Sequence, residues 1–250
     1  MVFVFDGDDT LWMNEWQYSQ TYADFFSYLY ATLGDRTPNF HYIRERYFQI
    51  EGELYKTCGV RRGRVAEAMA CLHKEICAWI EWRWNENLYR EEDEEEIRKI
   101  GDQPFDYTKL RWVPGAEKTL QTLKAAGHKL CFLSSYDSAV FPKRAGFLWL
   151  SRFFGPERIR TTEYRKNKED FIAVSGWTPN DTSTYYAVGN SESDILPALE
   201  INDTWRGIYI PYGSTSKFFA ARDAINFLAQ PMDHPRVTTI KSIAELLSIL

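Results

Sequence analysis

The 250-residue sequence has no long apolar run. No window approaches the ~18 uninterrupted apolar residues of a membrane-spanning helix. The N-terminus passes from Met1 through Val2-Phe3-Val4-Phe5 straight to Asp6, without the basic start and longer apolar stretch of an export signal. The chain is therefore expected to be cytoplasmic. It also lacks a basic excess: 30 Lys and Arg stand against 35 Asp and Glu, a net charge of −5. That balance excludes a general nucleic-acid binder, which needs cations along the phosphate backbone. Cysteine is scarce and scattered. Cys58, Cys71, Cys77 and Cys131 form no CxxC pair and have no histidine at zinc spacing, so they read as buried thiols and not as a disulfide frame or metal site. The four histidines, His41, His73, His128 and His234, pair with no nucleophile and receive no role. Internal repeats and low-complexity linkers are missing as well.

What is present is an ordinary globular composition, 44% hydrophobic and 26% charged, enriched in aromatics at 16%. The length suits one large α/β domain carrying a smaller insert. Val2 to Phe5 is a short apolar run that reads as a strand buried on both faces, and it ends in Asp6-Gly7-Asp8-Asp9-Thr10. From about Asn14 to Trp112 the texture is helical. Tyr18, Tyr22, Phe25, Phe26 and Leu29 recur at three and four residues, as do Phe40 to Leu54 and Val65 to Ile80, with a fourth helix over Glu91 to Ile100. After Val113-Pro114-Gly115, strands alternate with helices. The strands are Lys129 to Leu133, a short one near Ile159 to Thr161, Tyr185 to Val188, Gly207 to Ile210 and Val237 to Ile240. Helices are expected at Ala116 to Ala126, after Ser135, from about Glu169, after Ser191, around Phe218 to Phe227 and at the C-terminus. Such alternation predicts βαβ units and a parallel sheet.

Ligands of open α/β sheets bind beyond the carboxyl ends of the strands. Four strand ends carry polar residues there. Asp6-x-Asp8-x-Thr10 places two carboxylates past a buried strand, an arrangement that calls for a cation between them. Read alone, it is equally a capped turn. Ser134, with Ser135 beside it, follows Leu133 and can donate to a phosphate oxygen or cap a helix. Lys166 or Lys168 can bring positive charge to the site, and Lys166 is preferred for its spacing before Phe171. Gly189-Asn190-Ser191-x-x-Asp194 supplies a tight turn, an amide oxygen and a carboxylate one helical turn on.

Taken in this order, the four segments make the sequence resemble the haloacid dehalogenase superfamily of aspartate-nucleophile hydrolases. The residues carrying the resemblance are Phe5-Asp6-Gly7-Asp8-Asp9-Thr10-Leu11-Trp12, Leu133-Ser134, the lysine cluster, and Val188-Gly189-Asn190-Ser191-Glu192-Ser193-Asp194-Ile195. The resemblance implies a Rossmann-like, three-layer α/β/α catalytic core over residues 1–13 and 112–250, with an inserted all-helical cap over 14–111. It implies Asp6 as nucleophile, forming an aspartyl-phosphate, and Asp8 as general acid and base. Ser134, Ser135 and Lys166 would bind the phosphoryl oxygens, with Thr10 and Asp194 supporting. Mg²⁺ would be held by Asp6, the Asp8 carbonyl and Asn190. The implied reaction is Mg²⁺-dependent hydrolysis of a small-molecule phosphate ester, with no nucleic-acid or membrane partner.

Members that cleave carbon–halogen bonds usually lack the second carboxylate, so Asp8 favours phosphate esters. The alternatives are a dehalogenase, a phosphoryl-transfer enzyme, or a binding protein weakened in turnover. A receiver domain would need only about half this length. Asn190 departs from the usual Gly-Asp pair, so metal affinity is expected to fall. Asn14 and Glu15 read as helix-start residues near the site. Trp12, Trp16, Trp79, Trp82 and Trp84 read as packing between cap and core, and Glu91 to Glu96 as a solvated helix face.

Overall fold

The computed structural model describes residues 1–211 and 232–250; the helix expected around Phe218 to Phe227 lies outside the described residues. The chain divides into two compact units, one of Met1–Glu15 with Tyr107–Leu250 and one of Trp16–Asp106.

The first unit is built on a six-stranded parallel sheet. Its strands are β1 (Val2–Phe5), β4 (Lys129–Ser135), β5 (Ile159–Thr162), β6 (Tyr185–Gly189), β7 (Trp205–Tyr209) and β8 (Val237–Thr239). The spatial order β5-β4-β1-β6-β7-β8 puts β1 between β4 and β6, so the first residues of the chain form the middle of the sheet. All four residues of β1 are buried, as a parallel strand covered on both faces requires. Successive side chains alternate. Val2 and Val4 join Cys131, Leu133 and Ala187 in one cluster, with Phe171 and Val174 from α7 (Lys168–Ser175) and Ala198 and Leu199 from α8 (Leu196–Leu199). Phe3 stacks on Tyr186 at 5.0 Å and Phe5 meets Phe154 edge-on at 6.4 Å. The other helices of this unit are α5 (Ala116–Ala125) and α6 (Phe141–Phe147).

A feature without a sequence signal is the two-residue ribbon of β2 (Trp12–Met13) and β3 (Arg111–Trp112), paired antiparallel. Two residues per strand are too few to show a period. Two expected helices are also corrected. The segment after Ser191 is a 3-10 turn, Glu192–Asp194, followed by the single turn α8 with Pro197 near its start. The C-terminal segment is a run of 3-10 turns, Ile243–Ser248, which buries Ile243 and Leu246 at the three-residue repeat of that helix.

The second unit contains α1 (Glu15–Leu33, beginning one residue earlier in the first unit), α2 (Phe40–Cys58), α3 (Arg64–Trp84) and α4 (Glu91–Gly101). Its core collects the periodic positions: Phe25, Leu29, Ile43, Tyr47, Val65, Met69, Leu72, Ile76, Ile80, Ile97 and Ile100. The Asn39 side chain caps α2 by accepting from the Tyr42 amide, and Gly59 ends it. The acidic run in α4 is not wholly solvated. Asp93 is buried and accepts from the Tyr28 hydroxyl at 2.5 Å and from Arg90 at 2.9 Å. Nor are all the thiols buried: Cys77 and Cys131 are, but Cys58 is half-buried and Cys71 lies on the outer face of α3.

The division between units falls inside the boundaries read from sequence, and local bonds explain the offset. The Asp9 carboxylate accepts from the backbone amides of Asn14 (3.0 Å) and Glu15 (3.1 Å), which ties the start of α1 to the first loop. On the return, the Tyr107 ring meets Phe147 of α6 at 5.9 Å, and β3 pairs with β2.

Candidate active site

The sheet register brings the four polar segments to one edge. Phe5 is level with Phe132 of β4 and Val188 of β6, so Asp6 lies beside Leu133-Ser134 on one side and Gly189-Asn190 on the other. The Asp6 amide donates to the Val188 carbonyl at 2.9 Å, which extends the sheet by one residue and fixes the start of the loop. Asp6 is buried. Its Oδ1 accepts from Ser134 Oγ at 3.0 Å and from Lys166 Nζ at 2.5 Å. Lys166 is itself buried and also donates to Asp194 Oδ1 at 2.5 Å.

Lys166 immediately precedes Asn167, whose side chain forms a capping box with Asp170 at the start of α7. That cap sets the direction in which the chain enters the helix. Lys168, the alternative lysine, is half-exposed and its nearest acidic group is Glu169 at 4.0 Å. Asp194 is fixed from its other oxygen, where Oδ2 accepts from the Ser191 amide at 2.9 Å and hydroxyl at 2.6 Å. Gly189 is required for this approach, because a Cβ there would stand 2.2 Å from Asp194 Cβ. Ser135 is not brought to the carboxylates; its hydroxyl donates to the Tyr164 carbonyl at 2.9 Å. Thr10 is fully buried and its amide donates to the Gly7 carbonyl, while its hydroxyl has no hydrogen-bond partner among the described residues.

Asp8 is bound by groups that sequence reasoning did not connect to it. Its Oδ1 accepts from Trp12 Nε1 at 2.5 Å and from the Arg144 guanidinium at 3.3 Å, and its Oδ2 accepts from Asn14 Nδ2 at 2.9 Å. Trp12 reaches it by passing under the loop. A Cβ on Gly7 would lie 2.5 Å from the indole, so only glycine permits that passage. Trp12 is therefore core of the first unit, stacked on Phe132 at 5.5 Å. Of the other tryptophans, Trp82 is 79% exposed, and Trp16 and Trp79 are also exposed. Asn14 serves both as a helix-start residue and as a donor to Asp8. Arg144 carried no sequence signal, since a single arginine on a predicted helix is normally a surface residue.

The electrostatics are dominated by burial. Burial, with the Asp194 carboxylate and then Asp8 adding to it, pushes the Asp6 carboxyl up to about 7 against the pull of Lys166. Burial opposes the Lys166 ammonium too, but Asp194 and Asp6 on two sides hold it above the usual lysine value. Burial and then Asp8 push Asp9 up to about 6, opposed by its bonds to Asn14 and Glu15. Acidic groups outnumber the ammonium at this edge, so an added cation would stabilise the ionised form of Asp6. Among the described residues no three His, Cys, Asp or Glu side chains cluster as metal ligands. A cation here would rest on few carboxylates, completed by the Asp8 carbonyl, the Asn190 amide and water, and an all-oxygen set of that kind suits Mg²⁺. Chemically, the arrangement offers a buried carboxylate oriented by an ammonium and a hydroxyl, with a second, partly exposed carboxylate two residues on.

No family model matches the sequence, and neither does any curated protein. Solved structures do. A haloacid dehalogenase-like family hydrolase from Xanthomonas campestris superposes with a TM-score of 0.71 at 20% identity, covering 100% of this chain and 89% of that one. The fold is that of the haloacid dehalogenase-like hydrolases. A putative hydrolase of this fold from Bacillus subtilis, YfnB, solved bound to magnesium, matches at TM-score 0.58 and 17% identity over 99% of this chain and 97% of its own. A 2-haloacid dehalogenase from Pseudomonas syringae pv. tomato matches at 0.58 and 17% over 100% and 98%. Dehalogenase and phosphatase names both occur among haloacid dehalogenase-like structures similar to this chain. Among the described residues no helix is long and apolar enough to cross a membrane.

Proposed function

We propose that the protein is a Mg²⁺-dependent phosphatase acting on a small-molecule phosphate ester through an aspartyl-phosphate. The observation that carries this reading is the pairing of Asp6, buried against Lys166 and Ser134, with a second carboxylate at Asp8. An alkoxide leaving group needs a proton, and a carboxyl group two residues from the nucleophile is placed to supply it.

In this reading Asp6 attacks phosphorus through the oxygen not occupied by Lys166 and Ser134. The P–O bond to the leaving group breaks, and the departing oxygen takes a proton from Asp8. Asp8 then accepts a proton from the water that attacks phosphorus and releases Asp6. Ser134 and Lys166 turn toward the phosphoryl oxygens as charge develops, and Asp194 keeps Lys166 at the site. Asp6, the Asp8 carbonyl and Asn190 would hold Mg²⁺, which supplies charge neutralisation at the phosphoryl group.

The test is hydrolysis of p-nitrophenyl phosphate with Mg²⁺ and with EDTA, beside Asp6→Asn. Metal-dependent release that vanishes in the variant is expected. Release that persists in Asp6→Asn would overturn the mechanism. The dehalogenase reading is favoured by the Pseudomonas syringae neighbour, and halide release from a 2-haloacid in the same assay separates the two.

A further inference from the structure

We infer that Arg144 is a positioning residue for Asp8: from beneath the loop, together with Trp12 and Asn14, it sets the direction of the carboxylate that serves the leaving group. This rests on the phosphatase reading above and adds to it a residue that lies outside the four strand-end segments.

Arg144 is an unusual arginine. It sits on α6, the first helix after the strand carrying Ser134, and its side chain is 1% exposed. A buried guanidinium is costly unless its charge is matched and its donors are used. Here its face covers the Tyr136 ring at 4.7 Å from the centroid, and its Nη1 donates to Asp8 Oδ1 at 3.3 Å. The approach is fixed by an aromatic stack. Trp12 lies on Phe132, Phe132 on Phe141 of α6 at 5.3 Å, and Tyr136 meets Phe141 edge-on at 5.8 Å. The helix bearing Arg144 and the indole bearing the second donor are thus seated on the same rings.

The three donors differ from Asp8 in exposure. Trp12, Asn14 and Arg144 are each buried to within 1% of full burial, while the Asp8 side chain is 31% exposed. The carboxylate is gripped on both oxygens from its buried side and faces solvent on the other. A proton donor must lie within hydrogen-bond reach of the oxygen it serves. An aspartate on a loop reaches that place reproducibly only when something fixes its two side-chain torsions.

The test compares two esters in wild type, Arg144→Lys, Arg144→Met and Trp12→Phe. One ester is p-nitrophenyl phosphate, whose leaving group needs little protonation. The other is glycerol 2-phosphate, whose alkoxide needs it fully. Arg144→Met is expected to lower kcat on glycerol phosphate by roughly 10- to 100-fold, and on p-nitrophenyl phosphate by no more than about threefold. KM should change little on either ester. Arg144→Lys should recover part of the loss, and Trp12→Phe, which keeps the ring, should reproduce its direction. Equal losses on both esters, or no loss, would overturn the inference.

If wild type releases phosphate from neither ester, the phosphatase reading fails, and the tie between the two residues is read from stability. Urea midpoints of Arg144→Met, Asp8→Asn and the double variant then decide. Non-additive shifts support the grip on Asp8, and additive shifts overturn it.

Discussion

Removing the Lys166 ammonium tests the electrostatic account of the site without any substrate. Lys166→Met keeps most of the buried stem and deletes the charge that lies 2.5 Å from both Asp6 and Asp194, whose side chains are 8% and 7% exposed. Breaking a buried pair in this way costs about 3–5 kcal/mol, because the partner is left charged and unsolvated. Asp194 retains its bonds from Ser191, so Asp6 is the group expected to neutralise. Its carboxyl is already pushed up to about 7 with Lys166 in place, and it rises further once the lysine is gone. A carboxyl raised above its unfolded value stabilises the protein while protonated, and that contribution is lost as pH rises through the folded value. Each unit of pH above the unfolded value and below the folded one is worth about 1.4 kcal/mol. Over pH 6 to 8 the wild type loses this contribution only up to about pH 7, while the variant goes on losing it above that, so the penalty of the substitution should grow across the window, by at most about 1.4 kcal/mol. The assay is urea unfolding of metal-free protein in EDTA at pH 6 and pH 8. A penalty that is the same at both pH values, or under about 1 kcal/mol at pH 8, would refute the reasoning, because the site would then not hold an uncompensated buried charge.

Three further outcomes are expected. Gly189→Ala forces a Cβ into the Asp194 Cβ at 2.2 Å, and should cost about 1–3 kcal/mol in a thermal melt while moving Asp194 off Lys166 and lowering turnover. Asn190→Asp adds a negative oxygen at the proposed cation site and should lower the Mg²⁺ concentration for half-maximal activity by roughly tenfold, read from a metal titration; an unchanged titration would remove Asn190 from the ligand set. His73 in the second unit is buried beside Cys77 and Asp93, with Tyr28, Tyr89, Arg90 and Glu94 around them, and burial holds its imidazole below the usual value. The unfolded chain therefore takes up the proton first as pH falls below about 6.5, so stability is full above that value and declines toward the lowered folded one. His73→Leu should flatten this acid-side slope in urea midpoints measured between pH 7 and 5, and an unaltered slope would place the titrating group elsewhere.

The sequence made the strands and the long helices legible for a simple reason: each is a periodic or continuous apolar run whose burial is decided locally. Val2 to Phe5 could only be a doubly covered strand, and the spacing of Val65, Met69, Leu72, Ile76 and Ile80 could only bury one face of a helix. Elements held by few residues were not legible. The two-residue ribbon of Trp12–Met13 with Arg111–Trp112 has no period to read, and the segment after Ser191 carries good cap residues but is cut short by Pro197. Of the site residues, Asp6, Ser134, Lys166 and Asp194 could be named because each immediately follows, or stands near the end of, a predicted strand or precedes a predicted helix. Their joining was left to the register of β1 with β4 and β6. Ser135 shows the limit of that logic. It adjoins Ser134 in the same strand, so the pleat turns its side chain the other way, toward Tyr164.

The neighbourhood of Asp8 was hidden for a different reason. Its partners lie four, six and 136 residues away, and the two near ones reach it across an irregular loop and not along one face of a helix or strand. Trp12 and Asn14 reach it because the loop doubles back over the indole, a path that depends on Gly7 having no side chain and on Asp9 adopting a left-handed φ of 58°. Arg144 reaches it because an aromatic stack, not a sequence pattern, sets the approach of α6. Periodicity reports where apolar surface must go, and it is silent about which buried cation will end under which carboxylate. Asp6, the proposed nucleophile, is therefore the more readable half of this site. The Asp8 carboxylate, proposed to serve the leaving oxygen, is held by tertiary contacts, and substitutions at Trp12, Asn14 and Arg144 should alter which esters are cleaved well.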